Sequence, residues 1–336
     1  MTHAIAPEAA PQGAAGILSR LRRIHIENER GRDFEEQLLM LLEKAPDGTP
    51  LPIPVRFAAE LETRGIALIE AAGGGKTTAI RTVLTGSDVL AHNPLTGAPR
   101  FVHVSVESPA TQKSLGIAIL RETGIDHVAP RGTVWEIWRL VRHRLADMGV
   151  VVLWIDEAHD LFDQRSPREL DDMLKMLKSL MQGEAAVIVV LSGTDLLFGI
   201  VRSDPQVDRR FRKIHPRALA IGADTADVAD LVQLYCDEAG LRCAFRNNLA
   251  SRLIHASRGR FGRVIETTID AIGRALQEGA DTLTAEHFAE AWGANEGCSW
   301  AQNVFVAENW AEIDLDPEPL DLAVLRGRRG QRQRER

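Results

Sequence analysis

This chain is short of several things, and each shortage removes a class of protein. Of 336 residues only three are cysteine, Cys236, Cys243 and Cys298. None forms a CxxC pair or stands at metal-ligand spacing from a histidine, so a disulfide framework and a zinc site drop out and the thiols read as buried or idle. Long hydrophobic runs are missing. The apolar stretches 150–155 and 187–191 fall far below the roughly 18 residues of a membrane span, and the N-terminus has no basic segment followed by an apolar one. The expectation is a cytoplasmic protein with no membrane partner. Bulk positive charge is absent too. The formal charge is −7, and residues 326–336 carry six arginines against one glutamate, so a tail of +5 leaves −12 on the rest. An acidic body argues against DNA binding by net charge, while a local basic lining inside an assembly would not show in the total.

What is present is the balance of a globular protein, 45% hydrophobic and 26% charged, in a length that holds one α/β domain, a smaller domain and tails. Residues 1–50 read as an N-terminal helical extension and connector: a loose start rich in Ala and Pro, then a charged helical pattern over 17–44 closed by Pro46, Asp47 and Gly48. Over 51–216 short apolar strands alternate with helices. Strands are expected at 66–70, 101–106, 150–155 and 187–191, with helices from Lys76, at 111–123 and at 133–148, the pattern of a parallel sheet covered on both faces. After Pro216 only helical segments follow, at 224–239, 247–256, 262–277 and 284–292, giving a small all-helical domain over 217–296. Residues 297–336 form a tail, aromatic and acidic and then Arg-rich. With too few apolar residues for its own core, the tail is expected to be flexible, with Trp300, Phe305 and Trp310 available to anchor in a partner. The alternative is that Trp300 and Phe305 pack back on the helical domain. No internal repeat is present.

The strongest chemical signal is Gly73-Gly74-Gly75-Lys76-Thr77-Thr78, set between a strand and a helix, the context that makes a Walker A P-loop. Glycines let backbone N–H groups curl around phosphate oxygens, and the helix N-terminus adds positive potential. Lys76 reaches the β- and γ-phosphates, and the Thr77 hydroxyl ligates Mg²⁺. ATP and Mg²⁺ are the cofactors this predicts. The pattern GxxxxGK[ST] has glycine where this chain has Glu70. That leaves open weaker nucleotide binding or a loop that turns by another route through Ala71, Ala72 and Gly73. Eighty residues beyond Lys76, the apolar strand Val151-Val152-Leu153-Trp154-Ile155 ends in Asp156-Glu157, a Walker B element. Asp156 is placed to hold Mg²⁺ and Glu157 to polarise the attacking water. Because Glu157 is present, hydrolysis is expected rather than a scaffold that binds ATP without turnover.

Assembled, these residues resemble the AAA+ ATPases, and within them the TniB/TnsC group of transposition regulators, to which phage MuB is related. The resemblance rests on residues 72–78, on Ile155-Asp156-Glu157-Ala158-His159, on Leu191-Ser192-Gly193-Thr194, on Gln206 through Phe211 and on Gly262-Arg263. Ser108-Pro109 followed by Leu115, Ile119, Leu120 and Gly124 adds a family segment that faces DNA. It covers residues 50–295 and implies an AAA+ core with a helical lid. It also implies that Thr194 is sensor 1, that Arg210 (Arg209 as second choice) is the arginine finger given to a neighbouring subunit, and that Arg263, ahead of Arg260, is sensor 2. Read without the resemblance, Thr194 is equally a helix N-cap and the arginines a solvated basic face. The family further implies a homo-oligomer, a ring or helical filament on double-stranded DNA. It would recruit a transposase, take guidance from a target-selector protein, and use slow ATP hydrolysis as an assembly switch. Thr111, Lys113 and Arg121 are then the nearest candidates for phosphate contacts, although ordinary surface charge explains them as well.

Two rivals share some of these motifs. Asp156-Glu157-Ala158-His159 spells the DEAH box of helicases, but the hundred residues that follow are too few and too helical for a second parallel sheet. A replication initiator or secretion-associated ATPase would share the core. The initiator normally adds a winged-helix or helix-turn-helix domain after the lid, for which the tail is too short.

Overall fold

The computed structural model describes residues 13–59, 61–106, 110–126, 132–162, 166–244 and 248–316; Ser108-Pro109 and the arginine run 326–336 lie outside them. The N-terminal helical pattern resolves into two helices, α1 (Ala14–Leu21) and α2 (Glu29–Leu39). The break falls at Asn28, whose extended backbone and side-chain oxygen cap α2 by accepting from Gly31 N. The chain then forms β1 (Leu42–Lys44), paired antiparallel with β2 (Pro50–Pro54). β2 carries three prolines, which an isolated two-stranded ribbon accepts where a central strand would not.

The α/β region follows as β3 (Gly65–Ile69), α3 (Lys76–Gly86), β4 (Phe101–Ser105), α4 (Gln112–Glu122), α5 (Val134–Asp147), β5 (Val152–Asp156), α6 (Pro167–Leu180), β6 (Ile188–Gly193), α7 (Asp195–Ser203), α8 (Pro205–Asp208) and β7 (Phe211–Ile214). Five strands make one parallel sheet in the order β4-β5-β6-β3-β7. The apolar runs are unbroken because successive residues serve opposite faces, both covered. Ala67, Ile69, Leu153, Ile155, Val189 and Leu191 enter one core; Ile66, Leu68, Val152, Trp154, Ile188 and Val190 enter the other, with Phe34 and Leu38 of α2. The fold is therefore the expected α/β class, a parallel sheet flanked by helices, with a fifth strand the sequence reading did not place.

The second region holds α9 (Thr225–Ala239), β8 (Arg242–Cys243), α10 (Leu249–Ala256), α11 (Phe261–Glu278), β9 (Thr282–Leu283) and α12 (Ala285–Glu296). It is helical apart from the two-residue parallel pair β8–β9, so among the described residues there is no second sheet of the size a DEAH-type helicase requires. The chain divides into two compact units. One is Ile24–Ala218 with Arg260–Gly262; the other is Leu219–Gly259 with the described parts of Met1–Arg23 and Arg263–Arg336. Accordingly α1 belongs with the helical unit, where Arg20 Nη2 donates to the Glu238 carbonyl at 2.5 Å. α2 belongs with the sheet.

The described part of the tail is not a loose segment. Asn303, Val304 and Phe305 are buried, with Phe305 only 4% exposed. Its ring stacks on Phe288 at 5.4 Å and meets Trp292 edge-on at 6.2 Å. Arg252 Nη1 donates to the Val304 and Ala307 carbonyls at 2.6 and 2.9 Å. The segment needs no core of its own because it completes that of the helical unit. Phe305→Ala should therefore cost about 3 kcal/mol or more, read by urea unfolding of the full chain; a cost below about 1 kcal/mol would refute this docking.

Candidate nucleotide site

Strand order brings three strand ends together. β6 lies between β3 and β5, pairing Ile69 with Gly193 and Leu191 with Ile155, so the loop after β3, the acids ending β5 and the polar end of β6 become neighbours. This edge, at the carboxyl ends of parallel strands, is where α/β sheets hold ligands.

The loop after β3 fits a phosphate chain. Gly73 and Gly75 adopt φ of +79° and +103°, left-handed values that side chains strain, and Gly75 is the N-cap of α3. Lys76, 4% exposed, turns its ammonium into the loop, donating to the Glu70 carbonyl at 2.9 Å and the Ala71 carbonyl at 3.4 Å. The residues expected to hold Mg²⁺ are in direct contact, Thr77 Oγ1 donating to Asp156 Oδ2 at 2.7 Å. Among the described residues no group of three or more His, Cys, Asp or Glu could hold a metal by itself. A hydroxyl and one carboxylate fit instead a hard cation that keeps waters and phosphate oxygens. Thr78, next along α3, is exposed.

Asp156 is the hub of a buried network. Its Oδ1 accepts from Ser192 Oγ at 2.6 Å and from Glu157 N at 3.0 Å, and Ser192 Oγ accepts from Trp154 Nε1 at 2.7 Å. His103 stacks on Trp154 at 3.8 Å with Nε2 4.0 Å from Asp156 Oδ2. Burial pushes the His103 pKa down against the pull of Asp156, favouring the neutral ring. Sequence reasoning named Ser192 in the polar end of this strand but gave it no role toward Asp156; its signal was a hydroxyl at the end of an otherwise apolar run. Glu157 sits at φ +51°, ψ +39°, a left-handed position that a non-glycine residue occupies only when its surroundings hold it there. Its Oε2 is 3.3 Å from His159 Nδ1.

This geometry belongs to a known fold. The ORC1 protein of Aeropyrum pernix, solved in complex with DNA, superposes with a TM-score of 0.61 at 17% identity, covering 85% of this chain and 70% of that one. The Aeropyrum pernix ORC2 protein, solved as ADPNP-ADP complexes, gives 0.57 at 18% identity with 83% and 72% covered. Cdc6p of Pyrobaculum aerophilum gives 0.51 at 14% identity with 88% and 74% covered. The family model described as the bacterial TniB protein matches residues 55–218, which span the P-loop, Asp156, Glu157 and Thr194. Over residues 55–218 this chain is TniB-like. No curated protein matches the chain.

Other expected residues of the TniB-like chain lie in different settings. Thr194 occupies the N-cap position of α7 but makes no side-chain cap bond. Arg210, first choice as the finger, is 3% exposed. Its guanidinium pairs with Glu62 and donates to the Gln206 carbonyl at 2.7 Å, so it is committed inside its own subunit. Arg209 shares the same carboxylate at 2.7 Å with a side chain 56% exposed, and it is the arginine that faces outward. Arg263 lies in the helical unit, 4.0 Å from Glu296. Arg260, in the sheet unit, donates to the Ala72 carbonyl of the P-loop at 3.2 Å. Gly262 lies against that loop, where a Cβ would come within 2.5 Å of the Gly73 carbonyl. Thr111 is the N-cap of α4 in a reciprocal capping box with Ser114, which gives it a structural reason to be there; Lys113 is half-buried and Arg121 exposed.

Proposed function

We propose that this chain is an ATP-dependent DNA-binding ATPase that assembles as a homo-oligomer on duplex DNA and recruits a transposase to it. The observation that carries the reading is the coincidence of the TniB match with the P-loop, Asp156 and Glu157 gathered at one sheet edge. The Aeropyrum ORC1 protein that shares the fold was solved with DNA, which supports DNA as a partner.

In this reading Lys76 and the loop backbone bind and orient the β- and γ-phosphates. Thr77 and Asp156 hold Mg²⁺, which when bound neutralises phosphate charge. Glu157 orients a water and takes its proton as the water oxygen bonds to the γ-phosphorus; the bond to the bridging oxygen breaks, and ADP and phosphate leave. Ser192 fixes the Asp156 carboxylate, and Thr194 lies beyond it at the end of β6. A glutamate engaged by His159 must turn from it to reach water, which suits slow hydrolysis used as an assembly switch. Arg209 takes the finger role, and Arg263 keeps the nucleotide contact that the resemblance gives it. Thr111, Lys113 and Arg121 are assigned to the DNA-facing side.

Electron microscopy with a slowly hydrolysed ATP analogue and duplex DNA should show rings or filaments. Glu157→Gln should keep nucleotide binding, lower hydrolysis by about a hundredfold or more and prolong the DNA-bound state. Dispersed single particles under all nucleotide conditions would overturn the assembly claim. A transposase encoded beside this chain that fails to co-purify with the ATP- and DNA-bound form would overturn recruitment.

A further inference from the structure

Glu70 replaces the first glycine of the P-loop pattern, and its surroundings explain how. Its amide still extends the β3–β6 ladder, donating to the Gly193 carbonyl at 3.0 Å. Its carboxylate folds over Gly74: a Cβ at Gly74 would fall 2.0 Å from Glu70 Cδ and 2.3 and 2.4 Å from its two oxygens. The space a side chain at 74 would need is filled by the carboxylate of residue 70. That places a negative charge against the loop that has to accept a polyphosphate.

The charge is met from α2. Arg30, 5% exposed, grips the carboxylate with two parallel bonds, Nε to Oε2 at 2.7 Å and Nη2 to Oε1 at 2.5 Å. Its guanidinium lies 5.7 Å from the Phe261 ring centre, and Nη1 is 3.8 Å from the Cβ position of Gly75. Arg30 stands in the first turn of a helix capped by Asn28, where the helix dipole disfavours a cation, so the carboxylate is what holds it. The planar fork matches a carboxylate in a way a lysine cannot.

We propose that Arg30 is a positioning residue of the nucleotide site: by neutralising Glu70 it makes a glutamate-bearing P-loop competent to bind the nucleotide polyphosphate, and it makes α2 part of that site. The proposal rests on the nucleotide-site reading above. Its test is equilibrium binding of a fluorescent ATP analogue to the full chain, with circular dichroism and thermal unfolding to confirm folding. Arg30→Met should weaken binding by about tenfold or more, because one partner of a buried pair is left charged. Glu70→Gln should tighten binding, because it leaves the Arg30 charge facing the phosphates alone. The double variant Arg30→Met with Glu70→Gly should return to within about threefold of wild type. A pair that merely holds the fold would weaken binding in both single variants. Hence loss of affinity in Glu70→Gln, unchanged affinity in Arg30→Met, or a double variant as weak as Arg30→Met each overturns the proposal. Should Arg30→Met not fold, Glu70→Gln and the double variant still decide. Wild-type binding that Lys76→Ala abolishes shows that the nucleotide site stands when the Arg30 proposal falls. A wild type that binds no nucleotide removes both.

Discussion

Lys76→Ala is expected to reduce ATP affinity by about a hundredfold or more, since it deletes charge-assisted bonds to two phosphates, each worth roughly 1.5–3 kcal/mol. The ammonium is buried and, among the described residues, bonded to the Glu70 and Ala71 carbonyls, so binding exchanges weak acceptors for strong ones within one short movement. Lys76→Met keeps the bulk of the side chain and should bind as poorly as Lys76→Ala, which separates charge from packing. The measurement is direct titration with a fluorescent ATP analogue. Affinity within about threefold of wild type in either variant would mean that the loop after β3 does not hold the triphosphate.

The second large effect is expected where two adjacent arginines share one carboxylate. Arg210→Ala should destabilise the sheet unit by about 3 kcal/mol, the lower end for breaking a buried ion pair, because Arg209 remains to meet Glu62. Arg209→Ala removes a half-exposed partner and should cost less than about 1 kcal/mol. In the DNA-bound assembly, however, it should lower ATP turnover about a thousandfold if Arg209 serves the neighbouring γ-phosphate. Urea unfolding and steady-state hydrolysis with and without DNA give three numbers for each variant. The proposal requires the stability loss to fall on Arg210 and the turnover loss on Arg209. Normal turnover by Arg209→Ala in assembled protein removes that residue from the mechanism.

The parts of this molecule that were legible from sequence are those in which one local pattern does one job. β3, β5 and β6 are buried on both faces, so they appear as apolar runs, and the glycines and acids at their ends mark the site. Strand β7 is different. As an edge strand it sets Arg212 and Lys213, bonded to Gln37 and to Asp208, between buried Phe211 and Ile214, and it reads as a basic cluster. Helix α6 went unplaced although Ser166, Pro167 and Glu169 spell its capping box; that signal was present. Arg30, Glu62 and Ser192 act through partners 40, 147 or 148, and 36 residues away. No spacing rule within one sequence links such positions. Arg210 was chosen over Arg209 for the same reason, since burial distinguishes them and sequence does not.

The docking of residues 303–316 on the helical unit also fixes how far the arginine run can travel. Were the chain free from Gly297 onward, Arg326 would have a contour of roughly 100 Å to explore. Arg258 holds the carbonyl of Leu315 and the carboxylate of Asp316, the latter at 2.7 Å, so the tether is counted from Asp316. Ten residues then reach at most about 36 Å, and twenty residues, to Arg336, about 72 Å. Those bounds follow from chain geometry alone and hold for the six arginines of the run.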